Sequence, residues 1–133
     1  MTASETACPF CLRLSSGGLA LSTPLSAGFP DGFPLNAGHT LVVPRRHVAD
    51  LFDLSPDEQS DLWQLVARTK ATLKTEQGPD AFNIGVNVGA AAGQTVEHAH
   101  VHVIPRFKGD VLDPRGGVRW VIPARAAYWK ITP

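Results

Sequence analysis

Cysteine is scarce in this chain, with two among 133 residues, both in Cys8-Pro9-Phe10-Cys11. One pair cannot staple a secreted domain of this size, so the spacing points to redox chemistry or to half of a metal site. Net charge is also missing, because twelve Lys and Arg balance twelve Asp and Glu. No overall field draws the molecule to nucleic acid or to an anionic membrane, so any phosphate it binds must be held locally. No apolar run approaches the roughly 20 residues of a membrane-spanning helix. The opening residues Met1 to Cys8 lack a basic stretch followed by an apolar one, and a cytoplasmic location is the expectation. Internal repeats and low-complexity tracts are absent as well, and the length suits one domain over residues 1–133.

Turn signals, by contrast, are abundant: 12 glycines and 11 prolines separate short segments. Leu19 to Ser22 reads as a short strand and Asp31-Gly32 as a turn. Pro34 to Gly38 is a loop leading into the strand His39-Thr40-Leu41-Val42-Val43, which Pro44 ends. The clearest helix starts at Ser55-Pro56-Asp57-Glu58, where serine caps, proline takes the first turn and Glu58 completes a capping box. Leu62, Leu65, Val66, Thr69 and Leu73 recur at spacings of three and four, predicting an apolar stripe on a helix that runs to about Glu76. Gly78-Pro79 stops it. Phe82 to Val88 alternates as a strand, Gly89 to Gly93 is a small-residue loop, Glu97 to Ile104 is a second strand, and Val118 to Ile122 is expected as the last. Short connections between strands favour antiparallel pairing, so the expected class is α+β, with helices on one face of a meander.

His98-Ala99-His100-Val101-His102-Val103 places three of five histidines at alternate positions. On a strand they share one face, while Ala99, Val101 and Val103 share the other. At about 3.3 Å per residue, His98 and His102 stand roughly 13 Å apart, too far for all three rings to reach one metal. Two neighbours could share one. The preceding loop Gly89-Ala90-Ala91-Ala92-Gly93-Gln94-Thr95 offers backbone N–H groups, an amide and a hydroxyl, groups that suit a phosphate.

The stretch Gly93-Gln94-Thr95-Val96-Glu97-His98-Ala99-His100-Val101-His102-Val103-Ile104-Pro105-Arg106 resembles the histidine-triad (HIT) family signature. Pro34 to His47 is similar to the segment that precedes the helix in that family, and the likeness spans roughly residues 8 to 107, leaving a tail of 108–133. The resemblance implies a five-stranded antiparallel sheet with one long and one short helix, two copies of which join as a continuous sheet in a homodimer. It implies nucleotidyl transfer or hydrolysis at an α-phosphate, on nucleoside phosphoramidates or dinucleoside polyphosphates, through a covalent nucleotidyl-histidine. His100 is then the nucleophile, a role that suits a neutral imidazole near pH 7 whose other N–H is held. His102 contacts the α-phosphate, Thr95 relays a proton to the leaving group, and Gly93, Gln94 and Asn87 line the phosphate. Asp31 matches the acidic position that binds ribose hydroxyls, its alternative being a plain turn residue. His39 supports the triad from the adjoining strand.

The same resemblance gives the cysteines a use. A redox pair belongs at a helix start within a βαβ pattern, which the N-terminal sequence does not display, and a structural zinc needs four nitrogen or sulfur ligands. Some bacterial relatives hold zinc with a Cys-x-x-Cys pair, the histidine after Pro-Arg/Lys-Arg/Lys and the first triad histidine, here Cys8, Cys11, His47 and His98. No cofactor is needed for the chemistry, and the partner is a small nucleotide. Two other classes stand beside this one: a metalloprotein holding a catalytic ion with an HxH pair, and an inactive nucleotide-binding or interaction module with a structural zinc. The tail, with Lys108, Arg115, Arg119, Arg125 and Trp129, is expected to shape the leaving-group side, whether that group is an amine, a nucleotide or a sugar phosphate.

Overall fold

The strand β3 (Thr40–Pro44) is buried on both faces, and each face feeds a different core. Val42 points toward the long helix with Leu51, Leu62, Leu65, Val101 and Val103, while Leu41 and Val43 pack with Phe29, Phe10, Leu14 and Leu19 on the other side. The sheet is therefore a partition between two apolar clusters, and the histidines lie on the side of the smaller one. The computed structural model describes residues 2–130.

Five strands form one sheet: β1 (Leu21–Ser22), β2 (Ser26–Pro30), β3, β4 (Ala81–Val86) and β5 (Val101–Arg106), all neighbours antiparallel. Their order is β1-β2-β3-β5-β4. The first three make the expected meander, but β5 enters between β3 and β4. The helix α3 (Pro56–Gln77) carries the chain from β3 past this slot, and the connection 87–100 after β4, with its 3-10 turn Ala90–Ala92, brings β5 back into it.

That helix follows its sequence signals closely. Ser55 accepts the Glu58 N–H, Glu58 accepts the Ser55 N–H, and Gly78 ends the helix in the left-handed region at φ 62°. Leu62, Leu65, Val66, Thr69 and Leu73 are its buried residues. Each large apolar side chain contributes about 1.5–3 kcal/mol on burial. The Thr69 hydroxyl is satisfied within the helix by donating to the Leu65 carbonyl at 2.7 Å.

Two segments for which the sequence carries no expectation form elements, and one expectation needs correction. Residues before Gly17 form two helices, α1 (Ala3–Ala7) and α2 (Pro9–Ser16), where the sequence patterns mark neither. Ser26–Pro30 is a strand despite its glycine and proline, because β1 and β3 pair with it on both sides. Val118–Ile122 is not the last strand: Gly117–Val121 is a 3-10 turn followed by α4 (Pro123–Ala126). Gly116 and Gly117 have φ of 90° and 45°, which turns the chain away from an extended path. Among the described residues no helix is long and apolar enough to cross a membrane.

Candidate active site and metal site

The three alternate histidines do not form a uniform row. Only His102 lies within β5, which starts at Val101 and not at Glu97 as expected; His98, in a bend, and His100 are buried in the approach to it. Each ring is committed by a different neighbour.

His98 faces the cysteines. Its Nδ1 lies 3.5 Å from both Cys8 Sγ and Cys11 Sγ, and 3.2 Å from His47 Nδ1, which is itself 3.3 Å from Cys11 Sγ. A tetrahedral zinc with bonds of about 2.3 Å to sulfur and about 2.0 Å to nitrogen sets such atoms about 3.3–3.8 Å apart. The four residues therefore match a metal site in both donor type and spacing. The Nε2–H of His98 donates to the Pro44 carbonyl at 2.8 Å, which leaves the Nδ1 lone pair on the cysteine side. Burial pushes the Cys11 thiol up to about 11 and His98 below its ordinary value, so without a cation both stay neutral. The cysteines lie at a helix start after all, since the Cys8 sulfur accepts the Cys11 N–H at the cap of α2. The surrounding antiparallel sheet is nevertheless not a βαβ frame.

His100 turns the other way. Its Nδ1–H donates to the His98 carbonyl at 2.8 Å, which leaves the Nε2 lone pair free. The residue is 7% exposed, and Phe10, between the two cysteines, meets its ring edge-on with centroids 4.9 Å apart. Phe10 carries no chemical motif of its own, but its place between two candidate ligands is a signal that it must follow them into the site.

His102 belongs to a chain that starts at the backbone. The Leu35 N–H donates to His39 Nδ1 at 3.0 Å, so the His39 proton sits on Nε2 and is given to His102 Nδ1 at 3.0 Å. His102 then carries its own proton on Nε2. Burial holds both rings below the ordinary imidazole value, and Asp31, with Oδ2 3.4 Å from His39 and 3.9 Å from His102, pulls the other way. Asp31 is also the turn residue that its neighbour Gly32 suggested, because Oδ1 accepts the Phe33 N–H.

The remaining candidate residues lie between β4 and β5. Gly93 is in the left-handed region at φ 96°, after the turn Ala90–Ala92, and Asn87 is half-buried just past β4. The Gln94 side chain braces this loop: it accepts from the Gly89 N–H and donates to the Ala49 and Val96 carbonyls. Thr95 is exposed beside it.

An α+β domain with clustered, tautomer-fixed imidazoles on one sheet face and a Cys2His2 cluster behind them defines the class. The family model described as HIT domain matches residues 18–109, and the chain belongs to that family. A Schizosaccharomyces pombe bis(5'-nucleosyl)-tetraphosphatase (asymmetrical) is 46% identical over 88 residues, 66% of this chain and 48% of the relative. A Mycobacterium tuberculosis AP-4-A phosphorylase is 42% identical over 79 residues, 59% of this chain and 40% of the relative. The chain thus spans about half or less of the length of these two relatives. The crystal structure of a Zn-bound histidine triad family protein from Mycobacterium smegmatis superposes with a TM-score of 0.74 at 34% identity, covering 82% of this chain and 81% of that one.

Proposed function

We propose that this chain is a nucleotidyl hydrolase or transferase, in which His100 Nε2 attacks the α-phosphate of a nucleoside phosphoramidate or dinucleoside polyphosphate. The observation that carries the reading is the hydrogen bond from His100 Nδ1–H to the His98 carbonyl, because it leaves the other nitrogen as a lone pair. In the first step the bond between Nε2 and phosphorus forms while the bond to the leaving group breaks. The leaving group takes the electron pair and a proton relayed from water by Thr95. Water or another acceptor then attacks phosphorus, the P–Nε2 bond breaks with its electron pair returning to Nε2, and the acceptor's proton passes to solvent, replacing the one drawn in the first step. The His102 Nε2–H donates to a phosphate oxygen as charge builds there, and His39 keeps that proton in place. Gly93, Gln94 and Asn87 form the phosphate wall, and Asp31 receives the ribose hydroxyls on its remaining lone pairs.

The test is rapid-quench mass spectrometry with an adenosine 5'-phosphoramidate. A nucleotidyl adduct on His100 is expected, and turnover that persists in His100→Ala would overturn the reading.

We assign the metal as zinc with a structural role. Two thiolates and two imidazoles suit that ion, and four protein ligands leave no open position for water. Held by Cys8, Cys11, His47 and His98, it would tie α2 to the strand approach that carries His100. About one zinc per chain is expected, falling at least severalfold in Cys8→Ser. Unchanged metal content in that variant would refute the site. The homodimer joined through a continuous sheet also belongs to this reading. β4 is an edge of the sheet, and light scattering on the full chain tests it.

A further inference from the structure

The loop from Gly89 to Val96 has little of its own to hold it. Gly89 and Gly93 are in the left-handed region at φ 93° and 96°, and the side chains between them are three exposed alanines. Order comes from Gln94, which is half-buried and bonded to both ends of the loop. Its Oε1 accepts the Gly89 N–H at 2.9 Å, and its Nε2 donates to the Val96 carbonyl at 3.0 Å and to the Ala49 carbonyl at 2.8 Å. Its backbone N–H closes the same turn on the Gly89 carbonyl at 3.2 Å. The opposite flip of the amide would set Oε1 against two carbonyls, so the network itself fixes the orientation. Both amide hydrogens are thus spent on backbone, and the side chain has no donor left for a phosphate.

What this clamp encloses is Thr95. The residue is exposed, so no packing orients its hydroxyl and its place follows the backbone. Gln94 pins that backbone on one side through its own N–H and on the other through the Val96 carbonyl. The bond to Ala49 then sets it against the nucleophile. Ala49 adjoins Val48, whose carbonyl accepts the Ala99 N–H at 2.7 Å, one residue before His100. Thr95 and His100 therefore share residues 48–49 as a common anchor. An in-line displacement needs such a fixed relation, because the attacking nitrogen and the departing group stand on opposite sides of phosphorus, and a misplacement of about 1 Å costs on the order of a hundredfold.

Resting on the nucleotidyl-transfer reading above, we infer that Gln94 is a positioning residue for leaving-group protonation: its amide holds the Thr95 hydroxyl at the departing atom without touching substrate, and its share of the phosphate wall is its backbone. In the step it serves, His100 Nε2 bonds to phosphorus as the P–N bond of a phosphoramidate breaks. The amine leaves with the electron pair and takes the Thr95 hydroxyl proton, which water replaces.

The experiment follows single-turnover labelling of His100 in the full-length chain with two donors. One is the N-ethyl phosphoramidate of AMP, whose amine must be protonated to leave; the other is the 4-nitrophenyl ester of AMP, whose phenolate leaves as the anion. Gln94→Ala is expected to slow labelling by the phosphoramidate about tenfold or more beyond its effect on the ester. Thr95→Ala should show the same bias, and the double variant should add nothing to it, since Gln94 acts through Thr95. Gln94→Glu keeps an acceptor for Gly89 but loses the donors to Ala49 and Val96, so it is expected to follow Gln94→Ala, and it decides the matter if the alanine variant does not fold. Equal slowing of both donors overturns the inference, because a lost phosphate contact or a loosened fold falls on both alike. So do biases that add in the double variant, a Gln94→Glu that behaves as the unaltered chain, or a Thr95→Ala that shows no bias. If neither donor labels the unaltered chain, or if labelling persists in His100→Ala, the fault lies with the nucleotidyl-transfer reading itself.

Discussion

Each of the four imidazoles around the triad has its proton fixed by a named atom, and for three of them that atom is backbone. Pro44 O holds His98, His98 O holds His100, and Leu35 N–H orients His39, which in turn orients His102. The chemistry of the row is thus set by local chain path as much as by side-chain identity. Alternation in the sequence reveals that three rings lie close together, but it cannot reveal which nitrogen of each carries a proton. That depends on carbonyls and amides supplied from residues 35 and 44, far away in the chain. Gly85 matters for the complementary reason. It is the β4 register partner of His102, and a Cβ placed there would meet nothing within 4 Å, so the space beside the ring is open. Gly85→Val is expected to fill that space and lower kcat/KM by about tenfold or more. It should leave the thermal midpoint unchanged or slightly raised, since valine suits a strand better than glycine. Unchanged turnover in a folded variant would show that substrate does not pass there.

Among the elements, α3 and α2 differ in how much of them the sequence discloses. The long helix has a capping box, a five-residue buried stripe and a terminal glycine, so local signals suffice. The short α2 has Pro9 and a cysteine cap, and what orders it is tertiary: Phe10, Leu14 and the cysteines packing on Phe29, Leu41, Val43 and the histidines. A motif read as two metal ligands is also a wall of the candidate active site, which only the fold brings into view. The junction of α3 with the loop before β3 gives a sharper test. Gly38 has φ 89°, and an added Cβ would lie 2.9 Å from Gln77 Cγ and 3.0 Å from Leu73 Cδ2. Gly38→Ala is expected to cost about 1–3 kcal/mol in urea unfolding and also to lower turnover, because the strained residue adjoins His39. Ser55→Ala removes only the cap at the far end of the same helix. It should cost about 1 kcal/mol and leave kcat intact. Equal effects of the two variants on turnover would contradict the placement of Gly38.

At the scale of the molecule, the tail is where sequence reading goes furthest astray. Val118 to Ile122 has strand-like composition, yet the sheet already ends at β4, and two glycines at positive φ turn the segment into the wall of a surface groove. Propensity yields there to where the chain must go. The folded whole also sets a pH window. His39 and His102 are held below 6.5 chiefly by burial, so in the unfolded chain they gain protons at a higher pH than in the folded one. As pH falls below about 6.5 the unfolded state binds more protons, and stability declines until the folded rings titrate, by at most about 1.4 kcal/mol per pH unit for each ring. The carboxylates run in a separate window. Glu58, held by Arg46 down to about 2, and Asp113, held by Arg115 down to about 2, give up their contribution only as pH falls through the ordinary carboxylate range. Urea midpoints between pH 7.5 and 5.5 are therefore expected to decline, and to decline less steeply in His39→Gln, where one of the buried rings held below its ordinary value is gone. A slope identical in the variant would mean that burial of His39 does not carry this dependence.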